Sequence, residues 1–218
     1  MIILALDTAG VDCAAALYDA SSGTVLAERC ERIGKGHAER LTGMIEEVVT
    51  EAGRSLSDVS RLVVTIGPGS FTGIRTGVAS ARGLSLALGI PAVGVTTLAV
   101  MAADFHEVHP GRPVIAAIDA KRGEIYAQVF DGEGKPLGEP QALDAASLAE
   151  LARAHEAEIY GSGALLVAGQ NLGGEPDRFP AGLAARLGSF IIAHEKPKPL
   201  YLRAPDAKPQ SGFALSRT

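Results

Sequence analysis

The segment Gly67-Pro68-Gly69-Ser70-Phe71-Thr72-Gly73-Ile74-Arg75-Thr76-Gly77 constrains this chain more than any other stretch. The apolar residues 62–66 before it read as a buried strand, and residues 71–88 after it read as a helix. A strand, a glycine-rich turn and a helix in that order form one unit of an α/β layer. The helix is thin, built from Gly77, Ala79, Ser80, Ala81, Gly83, Ser85 and Ala87 with Arg75 and Arg82 as its charges. Each interior glycine costs about 1 kcal/mol against alanine, so close packing against a neighbour has to compensate. Amides at a helix start can hold an anion, and Ser70 and Thr72 add hydroxyls, so Gly67, Gly69, Ser70, Thr72 and Gly73 are candidate nucleotide-binding residues. The segment is neither a P-loop, which needs a lysine, nor a dinucleotide fingerprint, because Thr72 stands where the third glycine belongs. A tight packing turn is the alternative, and both stay open at this point.

The remaining pattern extends the α/β layer. Residues 2–6 read as a strand, and residues 13–18 and 24–30 as a hairpin. A turn centred on Ser21-Ser22 puts Cys13 opposite Cys30 as a cross-strand pair, although two reduced thiols without a disulfide are expected. Ala38, Leu41, Ile45, Val48 and Ala52 recur at helical spacing, widened by Met44 and Val49. Residues 92–95 read as a strand, followed by a helix from Thr96-Thr97 to about residue 106. His109-Pro110-Gly111-Arg112-Pro113 is a turn-rich break. Beyond it, residues 114–119 and 124–130 read as a second hairpin, 144–155 and 182–193 as helices, and 158–160 as a short strand. The expected division is an N-terminal lobe, 1–108, a smaller lobe, 109–195, and a proline-rich tail, 196–218, laid across the body or partly disordered.

Composition narrows the function classes. Twenty Lys and Arg face 25 Asp and Glu, a net charge of −5, which speaks against a chain that binds nucleic acid on its own. Aromatic residues make up 5% and Trp is absent, leaving few platforms for base stacking. The first residues carry no basic stretch and reach Asp7 too early for a signal-peptide core. The apolar stretch 76–103 is broken by Arg82 and Pro91, so no membrane span is expected. A cytoplasmic protein is the expectation.

The 67–77 string resembles the hallmark of the TsaB (YeaZ) family, whose members serve in threonylcarbamoyladenosine synthesis on tRNA. The opening Ile3-Leu4-Ala5-Leu6-Asp7-Thr8-Ala9, the helix start His37-Ala38-Glu39-Arg40-Leu41 and the later Pro199-Leu200-Tyr201-Leu202-Arg203 resemble further signatures of that family, in order along the chain. The resemblance implies an actin/hexokinase-like (ASKHA) fold of two ribonuclease-H-like lobes with mixed sheets. It also implies a catalytic paralogue, TsaD, and an ATPase, TsaE, as partners, with tRNA met only through the complex and a homodimer when alone. No cofactor of this chain's own is implied, and ATP or ADP would act at the level of the complex.

Kinase-like members of that fold use an aspartate at the end of the first strand, here Asp7, and a second carboxylate on the facing lobe, for which Asp119 is the candidate. With the 67–73 turn these would make a small phosphotransferase, the alternative function. The paralogue holds a metal through two histidines four apart; here Leu41 follows His37 at that distance, so no metal site is expected. The cysteines lie in strands and no nucleophile elbow exists, so neither a catalytic residue nor peptidase activity is expected. What the sequence offers instead is surface for association. The helix faces holding His37, Leu41, Met44, Ile45, Val48, Ile74, Val78 and Ala81 are the expected partner or dimer interface.

Overall fold

A computed structural model describes residues 1–168 and 177–203 of the 218. The strands β1 (Ile2–Asp7), β2 (Asp12–Asp19), β3 (Thr24–Arg32), β4 (Val59–Thr65) and β5 (Ala92–Val95) form one sheet in the order β3-β2-β1-β4-β5. The β1–β2–β3 portion is antiparallel, while β4 and β5 run parallel to β1. Ile3, Leu4, Ala5 and Leu6 are all buried, as a strand covered on both faces must be. Helices α1 (His37–Glu51) and α2 (Phe71–Leu88) follow, and α3 (Thr97–Val108) leads from this sheet to the next. Ser70 caps α2 by accepting from the Gly73 amide, and Thr96 caps α3 by accepting from Ala99.

The second sheet runs β8-β7-β6-β9, from β6 (Val114–Asp119), β7 (Ile125–Phe130), β8 (Gln141–Leu143) and β9 (Glu158–Tyr160). Helices α4 (Ala145–His155) and α5 (Gly163–Val167) cover one face, where Leu148 of α4 packs with Ile115, Ala117, Ile125 and Ala127. The alternate residues Val114, Ala116, Ile118 and Phe130 join the main core instead. The last helix among the described residues is α6 (Ala181–Ser189).

Both mixed sheets of the expected α/β class are present, with three adjustments. First, α6, read from the sequence as part of the 109–195 lobe, packs on β1, β2, β4 and β5 of the first sheet. Gly188 of α6 lies against Val63 while Gly77 of α2 lies against Val64, so these helices take opposite faces of β4. Second, α6 ends at Ser189 rather than near 193, because Arg61 reaches up to take the carbonyls of Gly188, Ser189 and Ile191. Third, a bulge at Leu17/Tyr18 shifts the β2–β3 register by one residue. Cys13 therefore faces Glu31 and Cys30 faces Ala14, and the expected cross-strand cysteine pair is not formed. Cys13 is buried and Cys30 exposed, both as free thiols. Of the proline-rich tail, residues 196–203 lie across the body, and 204–218 are outside the described residues.

Candidate functional site

The glycine-rich turn is filled by the chain's own backbone. Ser70 donates its amide to the Ala9 carbonyl at 2.7 Å, and the Thr8 hydroxyl donates to the Gly73 carbonyl at 2.7 Å. A side chain at Gly73 would meet the Thr8 carbonyl at 1.9 Å, and one at Gly69 the Ala9 carbonyl at 2.4 Å. These glycines are thus required because β1 runs on into the turn, and that contact is the compensation the thin helix needed. From the other side Thr97 donates its amide to Gly67 and its hydroxyl to Pro68. Two of the amides that a phosphate would need, those of Ser70 and Gly73, are already bonded within the protein. Thr72 is exposed on the first turn of α2, where its carbonyl accepts from Thr76.

Asp7 ends β1 beneath this turn and is 1% exposed. One carboxylate oxygen accepts from the Thr65 hydroxyl and, at 3.2 Å, from the Ala9 amide. Burial pushes its pKa up to about 7 against the lowering effect of those hydrogen bonds. Asp119 ends β6 on the second sheet. Its carboxylate accepts from the Lys121 amide and the Lys121 ammonium, each at 2.7 Å, and its amide donates to the Ser162 hydroxyl. The two aspartates are therefore not a facing pair open to one ion: one is enclosed, the other is paired to lysine. Among the described residues no group of three His, Cys, Asp or Glu is placed to hold a metal ion.

The expected interface residues turn inward. Leu41, Met44, Ile45 and Val48 of α1 and Ile74, Val78 and Ala81 of α2 are each 7% exposed or less, packed on the first sheet. His37 is also buried, donating Nε2 to the Asp12 carbonyl at 3.0 Å. The apolar stripes read from the sequence as an interface pack into the chain's own core here, which leaves the reverse faces of the helices exposed. On α1 that reverse face carries Glu39, Glu46, Glu47 and Glu51. On α2 it carries Phe71, Arg75, Ala79, Arg82 and Leu86, with Leu86 81% exposed. Their spacing of four, four, three and four was legible as a second helical stripe, but two arginines and an alanine made it look like an ordinary solvated side.

A further group was missed because its members are distant in sequence. The segment leading to Arg203 crosses the C-terminal end of β4, where Leu200 donates its amide to the Ile66 carbonyl at 2.8 Å. Gly67, at φ 99°, leaves room for it, since a side chain there would meet the Leu200 carbonyl at 3.1 Å. Tyr201 then stacks on Phe71 with ring centroids 5.0 Å apart, and Arg203 pairs with Glu124 beside β7.

The fold and these sites can be set against known proteins. The family model described as "TsaD: tRNA N6-adenosine threonylcarbamoyltransferase" matches residues 26–163. The chain is 35% identical over 195 residues to the tRNA threonylcarbamoyladenosine biosynthesis protein TsaB of Escherichia coli (strain K12), covering 88% of this chain and 81% of that protein. Among solved structures, YeaZ from Pseudomonas aeruginosa superposes with a TM-score of 0.80 at 29% identity, over 92% of this chain and 99% of that one. Another P. aeruginosa structure, described as an uncharacterized protein with similarity to peptidase YEAZ, gives 0.76 at 29% identity over 93% and 99%. The architecture is the two-sheet actin/hexokinase-like arrangement. With the turn, the first strand and the helices all in place, the chain belongs to the TsaB (YeaZ) family.

Proposed function

We propose that this chain is a non-catalytic scaffolding or activating subunit for transfer of a threonylcarbamoyl group to adenosine of tRNA, acting by association with the catalytic paralogue TsaD. The observation that carries this is the closure of the candidate ligand position: Thr8 and Ala9, directly after β1, fill the turn and Asp7 is sealed beneath it. That arrangement supports a protein that keeps the scaffold of a nucleotide-binding fold for its surfaces. TsaE, the ATPase, and tRNA are met through the assembled complex, in the cytoplasm, and ATP or ADP acts at that level. Burial pushes the Cys13 and Cys30 thiols up to about 11, which disfavours the thiolate, and the Ser162 hydroxyl donates to Asp177 at 2.6 Å rather than to an imidazole, which speaks against peptidase chemistry at these residues. The partner surface is the outer side of α1 and α2, which the free chain uses to form a homodimer.

The test is reconstitution. TsaD, TsaE, tRNA and a source of threonylcarbamoyl-adenylate are combined with and without this chain, and modified nucleoside is followed. Modification should depend on the chain and should survive Asp7→Asn and Asp119→Asn. Modification that proceeds unaided, or that either substitution abolishes, overturns the proposal. The interface has its own check on a sizing column. Leu86→Glu lies on solvent-exposed surface and should change stability by no more than about 0.5 kcal/mol, yet it should convert a dimer to monomer. Met44→Glu buries a charge in a filled core and should cost about 4 kcal/mol or more, so it unfolds the chain rather than separating subunits.

A further inference from the structure

The two most distinctive stretches of the sequence, 67–77 and 199–203, meet in space. Their meeting point is Arg75. Its guanidinium carbon lies 3.6 Å from the Phe71 ring centroid and 5.7 Å from that of Tyr201, and its Nε donates to the Tyr201 hydroxyl at 2.8 Å. The arginine is thereby held by a stacked ring on one side and a hydroxyl on the other. Its two terminal nitrogens have no hydrogen-bond or ion-pair partner among the described residues. Both rings are about two-fifths exposed, Phe71 at 41% and Tyr201 at 40%. An unpaired, immobilised guanidinium flanked by half-exposed aromatics is the composition of an interface anchor, since little freedom is left to lose on binding.

We infer that Phe71, Arg75 and Tyr201 form a clamp that takes a carboxylate from a helix of the protein partner, so that the segment ending at Arg203 belongs to the docking surface. The inference rests on the association proposed above. Charge selects the occupant. The chain is net acidic, and although Glu47 and Glu51 on the exposed side of the neighbouring α1 pair with Arg40 and Arg29, Glu39 and Glu46 there would repel a phosphodiester backbone laid along the pair. From Arg75 the exposed stripe continues through Ala79, Arg82 and Leu86, mixing apolar and cationic side chains as protein interfaces do. The family model spanning 26–163 covers both α1 and α2, so the paralogue is expected to present a helix pair of the same kind. An acidic side chain on such a helix would meet Arg75.

The test titrates the full chain against its cognate TsaD-family subunit by calorimetry at low and at physiological salt. Arg75→Gln should weaken the complex about tenfold or more, as loss of a charged hydrogen-bond pair does, and should flatten its salt dependence. Arg75→Lys should recover part of the affinity by keeping the charge, and Tyr201→Ala should weaken binding while Tyr201→Phe, which keeps the ring, weakens it less. Thermal unfolding of each free variant reports whether the fold is intact. If folded Arg75→Gln binds like the parent, the clamp is overturned. If it binds the subunit normally but the assembled complex loses tRNA affinity, the occupant is RNA and the inference is equally overturned. Failure of the unsubstituted chain to bind at all sinks the association itself.

Discussion

At Asp7 the protein trades an open ligand position for an enclosed carboxyl. The native group holds its proton to about pH 7, whereas an unfolded aspartate releases it near 3.8. Its contribution to stability is therefore greatest below about pH 4 and is lost as pH rises through about 7. Stability of the parent should fall by about 2 to 3 kcal/mol more between pH 5 and pH 8 than that of Asp7→Asn. Denaturant titrations at the two pH values measure it, and parallel profiles would show that Asp7 is ionised in the native state. Glycines give the same kind of contrast. Gly73→Ala drives a carbon into the Thr8 carbonyl and should cost about 3 kcal/mol or more. Gly83→Ala, with no atom within 4 Å, should instead stabilise α2 by about 0.5 to 1 kcal/mol.

Among the elements, α2 was easy to find and hard to orient. Its start at Phe71 and its end at Gly89 were plain from Ser70, the turn before it and the Gly89-Ile90-Pro91 stop after it. Which stripe faces the sheet is a matter of what lies above and below, and Ile74, Val78 and Ala81 went to the core because β4 and β1 present valine and threonine there. The β2–β3 hairpin shows the same limit. Its strands and turn were legible, but one bulged residue at Leu17/Tyr18 re-paired both cysteines. Both thiols are pushed up to about 11 by burial, so access alone separates them: alkylation of the native chain should label exposed Cys30 and spare buried Cys13, while both react in denaturant. Equal labelling in the native protein would mean that β2 opens on the time scale of the reaction. The short elements β8 and α5 carried too few residues to show any period.

For the whole molecule, charge is divided between neighbouring helices. The acidic side of α1 and the cationic side of α2 lie next to one another on one flank, with no helix of the first sheet covering them. The proposed association through that flank would be stabilised by opposite charges near the surface, so raising salt from 0.05 to 0.5 M, the range over which screening shortens from well above to well below about 10 Å, should shift the free chain towards monomer. Light scattering across that series measures the shift, and a dimer that strengthens with salt would point to an apolar interface elsewhere. Arg203 and Glu124 tie the far end of the described chain to the second sheet, so the same segment that reaches α2 also spans the two sheets.

The sequence by itself determined the α/β class, the order of the major elements, the turn at 67–70 and membership of a family, because each depends on local spacing, caps and breakers that act within a few residues. Only the tertiary structure decided that β1 closes the turn, that the apolar stripes of α1 and α2 are core, and that α6 returns to the first sheet. It alone brought Tyr201 to Arg75 across a separation of 126 positions. The reason is that a side chain's pattern states how apolar its surroundings must be, whereas the identity of those surroundings is set by backbone contacts that carry no sequence signature of their own.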